Sequence, residues 1–252
     1  MPSLKLATSE IYYEENGAGF PVLLFAPGFL SSRIERWRSN PARPGVLQDW
    51  LDPTTALVPP FRTIALDVRN AGRSRAAIAA DDGWPSYTAD HLALLRHLGV
   101  TRCHVMGACI GVSFALALAE AVPGLVSALV LQNPIGLVAG NRQAIDTEFA
   151  KWAEEAAKLP GVDARLLPAL GARMFGGDFI FSVSRAFVAA CRIPMLVMPG
   201  DDLVHPAETS AELMRLAPEA EALAPWKDAA LREAAMDRVA TFLRERTPAA
   251  PV

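Results

Sequence analysis

The stretch that decides the fold runs Cys103-His104-Val105-Met106-Gly107-Ala108-Cys109-Ile110-Gly111-Val112-Ser113-Phe114. Its first four residues form a short apolar run that ends at a glycine, as a strand buried on both faces does. From Ile110 to Val122 the chain is almost wholly apolar, which predicts a central, buried helix. Between the two lies Gly107-Ala108-Cys109-Ile110-Gly111, a sharp strand-to-helix turn with a cysteine at its apex. Such a turn strains the backbone at the apex, so small residues are needed on either side. The helix N-terminus that follows favours the thiolate of Cys109. The backbone N–H of Ile110 is then aimed at any oxyanion formed on an attacked group. The alternative is an ordinary buried cysteine in a glycine-rich turn. Cys103 and Cys191 lack this setting and read as structural.

Outward from that turn the pattern repeats. Apolar runs at 22–25, 63–66, 128–131 and 195–198 end at Ala26-Pro27-Gly28, Asp67, Asn133-Pro134 and Pro199-Gly200. Helical spacing is found at 87–98, 206–216 and 228–246. Residues 4–6 and 11–15 read as an edge hairpin, and 221–224 as the last strand. Alternation of this kind predicts an α/β fold, a mostly parallel sheet covered by helices on both faces. The rhythm breaks after Pro134, where helical patterns at 143–157, 163–174 and 181–190 follow with no clear strand. The expected organisation is a core of residues 1–134 and 193–252 carrying a helical cap of residues 135–192.

Composition narrows the function. The 252 residues are 52% hydrophobic and 20% charged, with a formal net charge of −3. That suits a packed globular enzyme, and no basic cluster invites nucleic acid. No apolar run approaches a membrane span, and no signal core follows the N-terminus, so the expected location is the cytoplasm. The three cysteines form no CxxC pair, and neither a metal constellation nor a phosphate-binding glycine loop is present. No cofactor is expected. The expected partner is a small-molecule substrate, with a homodimer possible.

On these residues the chain resembles the α/β-hydrolase family over nearly its whole length. The resemblance implies that Cys109 stands at the nucleophile position, usually a serine. It implies an oxyanion loop at Phe25-Ala26-Pro27-Gly28-Phe29, with Pro27 in place of the usual histidine and the Phe29 N–H as second donor beside Ile110. Asp67-Val68-Arg69-Asn70-Ala71-Gly72-Arg73-Ser74 is similar to a loop the family uses architecturally. The acid falls in Gly200-Asp201-Asp202-Leu203-Val204-His205-Pro206, with Asp202 favoured over Asp201. One of the two is expected to cap the helix near Pro206.

The resemblance fails at one place. The family carries its histidine after the last strand, where this chain has Pro225-Trp226-Lys227-Asp228. Of four histidines, His91 and His97 read as surface or interface residues and His104 as packed inside a strand. His205, three residues after Asp202, is either a displaced base, a ligand contact or a surface residue. A cysteine tolerates a weak base better than a serine does, because its thiolate is accessible near neutrality. Enzymes resembling dienelactone hydrolase also place a cysteine at this position, but they keep the histidine.

Trp226, Phe149 and Trp152 are the expected lining of a pocket for a small apolar or aromatic substrate. The run Arg33-Ile34-Glu35-Arg36-Trp37-Arg38 reads as a solvated loop, or alternatively as a carboxylate site beside the oxyanion loop. Three functions stay open: acyl transfer or hydrolysis of a small ester, thioester or lactone through Cys109; a lyase on the same fold; or a ligand-binding pseudoenzyme.

Overall fold

A computed structural model describes residues 2–39 and 48–249. A nine-stranded sheet runs through the chain. Its strands are β1 (Ser3–Lys5), β2 (Ser9–Asn16), β3 (Phe20–Phe25), β4 (Phe61–Leu66), β5 (Arg75–Ala76), β6 (Cys103–Ala108), β7 (Val126–Gln132), β8 (Met195–Met198) and β9 (Ala220–Ala222). The order is β1-β2-β4-β3-β6-β7-β8-β9, with β5 paired to β2. β1 and β2 form the expected edge hairpin, β2 lies antiparallel to β4, and every pair from β4 through β3 to β9 is parallel.

The sequence dictates this by burying both faces. Along β7, Val126, Leu129 and Leu131 join the cluster on one side of the sheet, and Ala128 and Val130 join the cluster on the other. Side chains alternate with period two, so a continuous apolar run fills both layers. The first layer contains helices α2 (Trp84–His97) and α3 (Ile110–Ala121), and the second contains α8 (Arg232–Glu245). A short helix α1 (Pro53–Ala56) precedes β4, and α7 (Ala207–Leu216) joins β8 to β9.

Residues 135–192 hold α4 (Arg142–Ala156), α5 (Leu167–Phe175) and α6 (Arg185–Ala190), but no named strand. Specific bonds anchor this segment near the C-terminal ends of the parallel strands. Ser113 Oγ in α3 donates to the Ile180 carbonyl at 2.8 Å. Asn141 Nδ2 donates to the carbonyls of Gly136, at 2.8 Å, and Leu203, at 3.1 Å. The Trp84 indole reaches the Met174 carbonyl at 3.0 Å.

Two expectations are corrected in the core. His91 is not a surface residue: it is 1% exposed, wedged between Phe25 and Phe114, and burial pushes its imidazole down to about 3. The hydrophobic face of α2 is broader than its leucines suggested. The run Arg33–Arg38 is not a solvated loop either. It winds into a 3₁₀ turn at Ile34–Trp37 whose Ile34 and Trp37 are fully buried in the second layer. His104 packs inside β6 beside Phe20 and Phe61, as expected.

Candidate active site

Cys109 sits between β6 and α3 with φ 57° and ψ −122°, in a region costly for any residue with a side chain. The turn is held from both ends. Cys109 N–H donates to the Gln132 carbonyl at 3.0 Å, and Val112 N–H to the Cys109 carbonyl at 3.1 Å. A Cβ on Gly107 would collide with the backbone of Gly111, and one on Gly111 with the carbonyl of Phe25. Both glycines are therefore required by close backbone approach rather than by chain flexibility. Gly111→Ala is expected to cost about 2 kcal/mol or more of folding stability, because backbone must give way. A chemical-denaturation midpoint equal to wild type would contradict that packing.

The positive backbone angles cluster here. Phe29 (φ 51°) and Asn133 (φ 52°) share the left-handed region with Cys109, and all three border one cavity of about 610 Å³. Strain concentrated around one cavity is characteristic of functional sites. The cavity opens at the C-terminal ends of β3, β6, β7 and β8, the end where open parallel sheets bind ligands. Pro27, Gly28 and Phe29 form one wall, and Asp202, Val204 and His205 another.

No histidine follows the last strand, but the loop after β8 places His205 against the cavity. His205 Nδ1 lies 2.9 Å from both carboxylate oxygens of Asp202. Asp202 Oδ1 also accepts the N–H of Val204, at 2.9 Å, and of His205, at 2.8 Å. Two backbone bonds and one side-chain bond fix the carboxylate, which fixes the ring. The other ring nitrogen, Nε2, is buried and makes no conventional hydrogen bond. It belongs to a ring that lines the same cavity as Cys109.

The charges settle the protonation. Burial pushes the Cys109 thiol up, but the His205 charge outweighs it, helped by the N–H groups of Gly28 and Phe29, and the thiol ends below its ordinary value. Burial pushes His205 down, yet the Cys109 charge and the Asp202 carboxylate carry it up to about 10. The hydrogen bond from His205 holds Asp202 well below the carboxylate range. Each shift favours the charged form of its group, thiolate for Cys109 and imidazolium for His205. Cys103, by contrast, is pushed up to about 12 by burial, and Cys191 is also raised by burial.

Asp201 does not join this group. Its exposed carboxylate pairs with Lys227 Nζ at the cavity's edge. Neither aspartate caps α7, whose N-cap is Pro206 with no side-chain bond. The expected capping role is corrected: Asp202 is spent on the loop's own N–H groups. Asp202→Asn should lower kcat/KM by about 10²-fold or more, because the imidazole loses its anionic partner. Asp201→Asn should change it less than about threefold, since an exposed ion pair contributes little. The reverse ranking in steady-state assays would reassign the acid.

Ile110 opens α3 as a fully buried residue, and Phe29 is nearly so. The N–H groups of a first helical turn have no acceptor within their own helix. Asp67 and Arg69 tie loops, as the sequence suggested. Asp67 accepts Ile34 N–H and Arg73 N–H, each at 2.9 Å, and Arg69 bridges Asp82 and Asp90.

The expected substrate-lining aromatics are corrected. Trp226 does not line the cavity: its indole donates to the Pro199 carbonyl at 2.9 Å and its ring packs in the second layer. Phe149 borders a separate cavity of about 260 Å³ with Pro168, Gly171 and Phe175. Trp152 is buried against Phe149, with ring centroids 5.8 Å apart. Each packs within a layer because helix and loop ends bury their largest apolar groups first. The cavity is instead lined by Trp50, Arg36, Gln48, Gln132, Asn133, Glu148 and Lys227, most of which carried no sequence signal. Gln132 is fully buried and, among the described residues, neither of its amide atoms nor Asn133 Oδ1 has a partner. Unpaired buried polar atoms cost about 1–3 kcal/mol each, so a polar partner in the cavity is worth that much.

Comparison with known proteins agrees with this architecture. The sequence model of a family described as alpha/beta hydrolase fold matches residues 21–169. A "Putative carbamate hydrolase RutD" from Pseudomonas syringae pv. syringae (strain B728a) is 36% identical over 84 residues, 33% of this chain and 32% of that protein. The chain thus spans about a third of the length of the curated relatives it matches. Among solved structures, a meta-cleavage product hydrolase from Pseudomonas fluorescens IP01 superposes with a TM-score of 0.68 at 17% identity, covering 98% of each chain. Rv0554 from Mycobacterium tuberculosis gives 0.68 at 20% identity, covering 95% of each. At such identities the likeness is one of fold.

Proposed function

The chain belongs to the α/β-hydrolase fold family, and from that premise we propose that it is a hydrolase or acyl-transfer enzyme working through a covalent intermediate on Cys109. Its substrate is a small ester, thioester or lactone. The observation that carries this reading is the His205 ring, oriented by Asp202 at Nδ1 and coupled to the Cys109 sulfur. A pseudoenzyme that had lost its base would not keep a half-buried, carboxylate-oriented imidazole in the same cavity as a depressed thiol. The hydrolase reading also agrees with the names those similar proteins carry.

The chemistry runs in two halves. The Cys109 thiolate attacks the acyl carbon, forming a C–S bond, and the carbonyl π electrons move to oxygen. The N–H groups of Phe29 and Ile110 take that oxyanion. Collapse re-forms the carbonyl and breaks the bond to the leaving group, which takes the proton from His205 Nε2. Neutral His205 then removes a proton from water, which attacks the acyl-cysteine. Collapse of the second oxyanion releases the acid, and Cys109 leaves as the thiolate beside a reprotonated imidazole. Where an acceptor alcohol or amine replaces water, the same steps transfer the acyl group. We take residues 135–192 as a cap, because their anchors at Ile180, Asn141 and Met174 hold them over this end of the sheet.

The test is a side-by-side assay of wild type and Cys109→Ala against small esters, thioesters and lactones. Turnover that disappears in the variant is expected. Turnover that survives Cys109→Ala would replace acyl chemistry with a lyase-type reading.

A further inference from the structure

One cation in the cavity is unaccounted for by this chemistry. Among the charged groups lining it, His205 is paired with Asp202, Lys227 with Asp201, and Glu148 with Lys151, while the Asp49 carboxylate forms no ion pair among the described residues. Arg36 forms no ion pair among the described residues. The residues outside that description contain no aspartate or glutamate. Its Nε donates to the Ser31 carbonyl at 3.2 Å, and its terminal nitrogens have no acceptor among the described residues. The side chain lies against Gly28, where a Cβ would strike its Cδ and Nε, so the guanidinium is fixed beside the Gly28–Phe29 wall. Burial lowers its pKa, as expected of a cation without a partner, although Cys109 and Glu148 oppose that effect.

A second observation points to the same place. The 3₁₀ turn carrying Arg36 packs Ile34 and Trp37 into the second layer, and Ala108 belongs to that layer. Gln132 is the register partner of Ala108 and falls on the same face of β7 as Ala128 and Val130. Its completely buried amide, unpaired at both atoms among the described residues, belongs to a residue that lines the same cavity as Arg36. A fixed, unpaired guanidinium and an unpaired amide are complementary to a small planar anion with hydrogen-bonding oxygens. A monoanion suits the site better than a dianion, because the Arg36 cation stands among four carboxylates, Asp49, Glu148, Asp201 and Asp202.

We propose that this side of the cavity is a carboxylate subsite: the substrate is an acyl compound carrying a carboxylate, gripped by Arg36 and hydrogen-bonded by Gln132, with its scissile carbonyl on Cys109. The subsite rests on the acyl-transfer reading for its purpose, but its test does not. Iodoacetate and iodoacetamide alkylate the same sulfur and differ in one having a carboxylate. Their rates at Cys109, read by mass, are compared in wild type, Arg36→Gln and Arg36→Lys at neutral pH. The ratio of iodoacetate to iodoacetamide rates is expected to fall at least tenfold in Arg36→Gln and by less in Arg36→Lys. His205 is present in all three proteins, so the ratio isolates Arg36, and the neutral reagent controls for fold. An unchanged ratio, or a Cys109 inert to both reagents, overturns the subsite. In parallel, the kcat/KM of mono-4-nitrophenyl glutarate over 4-nitrophenyl butyrate is expected to favour the charged ester in wild type and to drop at least tenfold in Arg36→Gln. Inertness to both esters with the alkylation ratio still shifting contradicts the acyl reading and leaves the subsite standing.

Discussion

In Cys109→Ala, turnover of any accepted ester or thioester falls by about 10⁴-fold or more, to a residue supplied by the oxyanion donors and binding alone. The reasoning is that every bond-making step passes through the sulfur. The strain at φ 57° and the collisions that exclude any side chain at Gly107 or Gly111 serve to present that one atom to the cavity. Cys109→Ser is expected to be nearly as damaging. A hydroxyl does not ionise near neutrality, so the thiolate–imidazolium ground state cannot form. Loss of less than about tenfold in Cys109→Ala, measured as kcat/KM with protein mass verified, would remove the sulfur from the chemistry.

The second large effect is expected in the pH dependence of His205→Ala. In wild type the thiol lies below its ordinary value and the imidazole near 10, so the reactive ion pair forms as pH rises through the thiol's lowered pKa. It is lost as pH rises through about 10, when the imidazolium deprotonates. Cys109 should therefore alkylate quickly at neutral pH, while Cys103, pushed up to about 12, stays inert. Removing the ring deletes the largest influences that lower the thiol and leaves burial, which raises it. The alkylation limb then moves to higher pH. The neutral-pH rate drops at least about tenfold, because the thiolate fraction falls about tenfold for every pH unit the limb moves. A wild-type limb superimposable on that of His205→Ala would show that the two groups are not coupled.

Much of this was legible beforehand, for identifiable reasons. Continuous apolar runs such as 128–131 and 195–198 announce strands buried on both faces, and β8 is found at the predicted residues. The Gly-x-Cys-x-Gly turn was legible because steric exclusion leaves glycine as the one residue that fits. β5 was not, since two residues carry no period. The last strand was expected at 221–224 and is found at Ala220–Ala222, an edge strand in which Ala220, a small residue, is the one that packs against the core. Asp202 and His205 were legible as neighbours in sequence. Their hydrogen bond was not, because a three-residue separation becomes a contact only once Asp202 also binds the loop's own N–H groups. The cavity wall was least legible. Arg36, Trp50 and Gln132 come from three distant segments brought together by tertiary packing, whereas the aromatics chosen for their chemistry, Trp226, Phe149 and Trp152, are spent on packing.

The coupling of Cys109 to a relocated His205 has a further consequence for the order of steps. The depressed thiol can be acylated without a base, but the acyl-cysteine needs the neutral imidazole to activate water. His205→Ala should therefore slow the second half more than the first, and the intermediate should accumulate. The direct measurement is acid-quenched intact mass with peptide mapping, taken during turnover of an ester or thioester by wild type and His205→Ala. The expected result is one acyl group per chain, mapped to Cys109, at higher occupancy in His205→Ala than in wild type. Turnover with no acyl group on Cys109 in either protein, or an acyl group mapped to another residue, would contradict it.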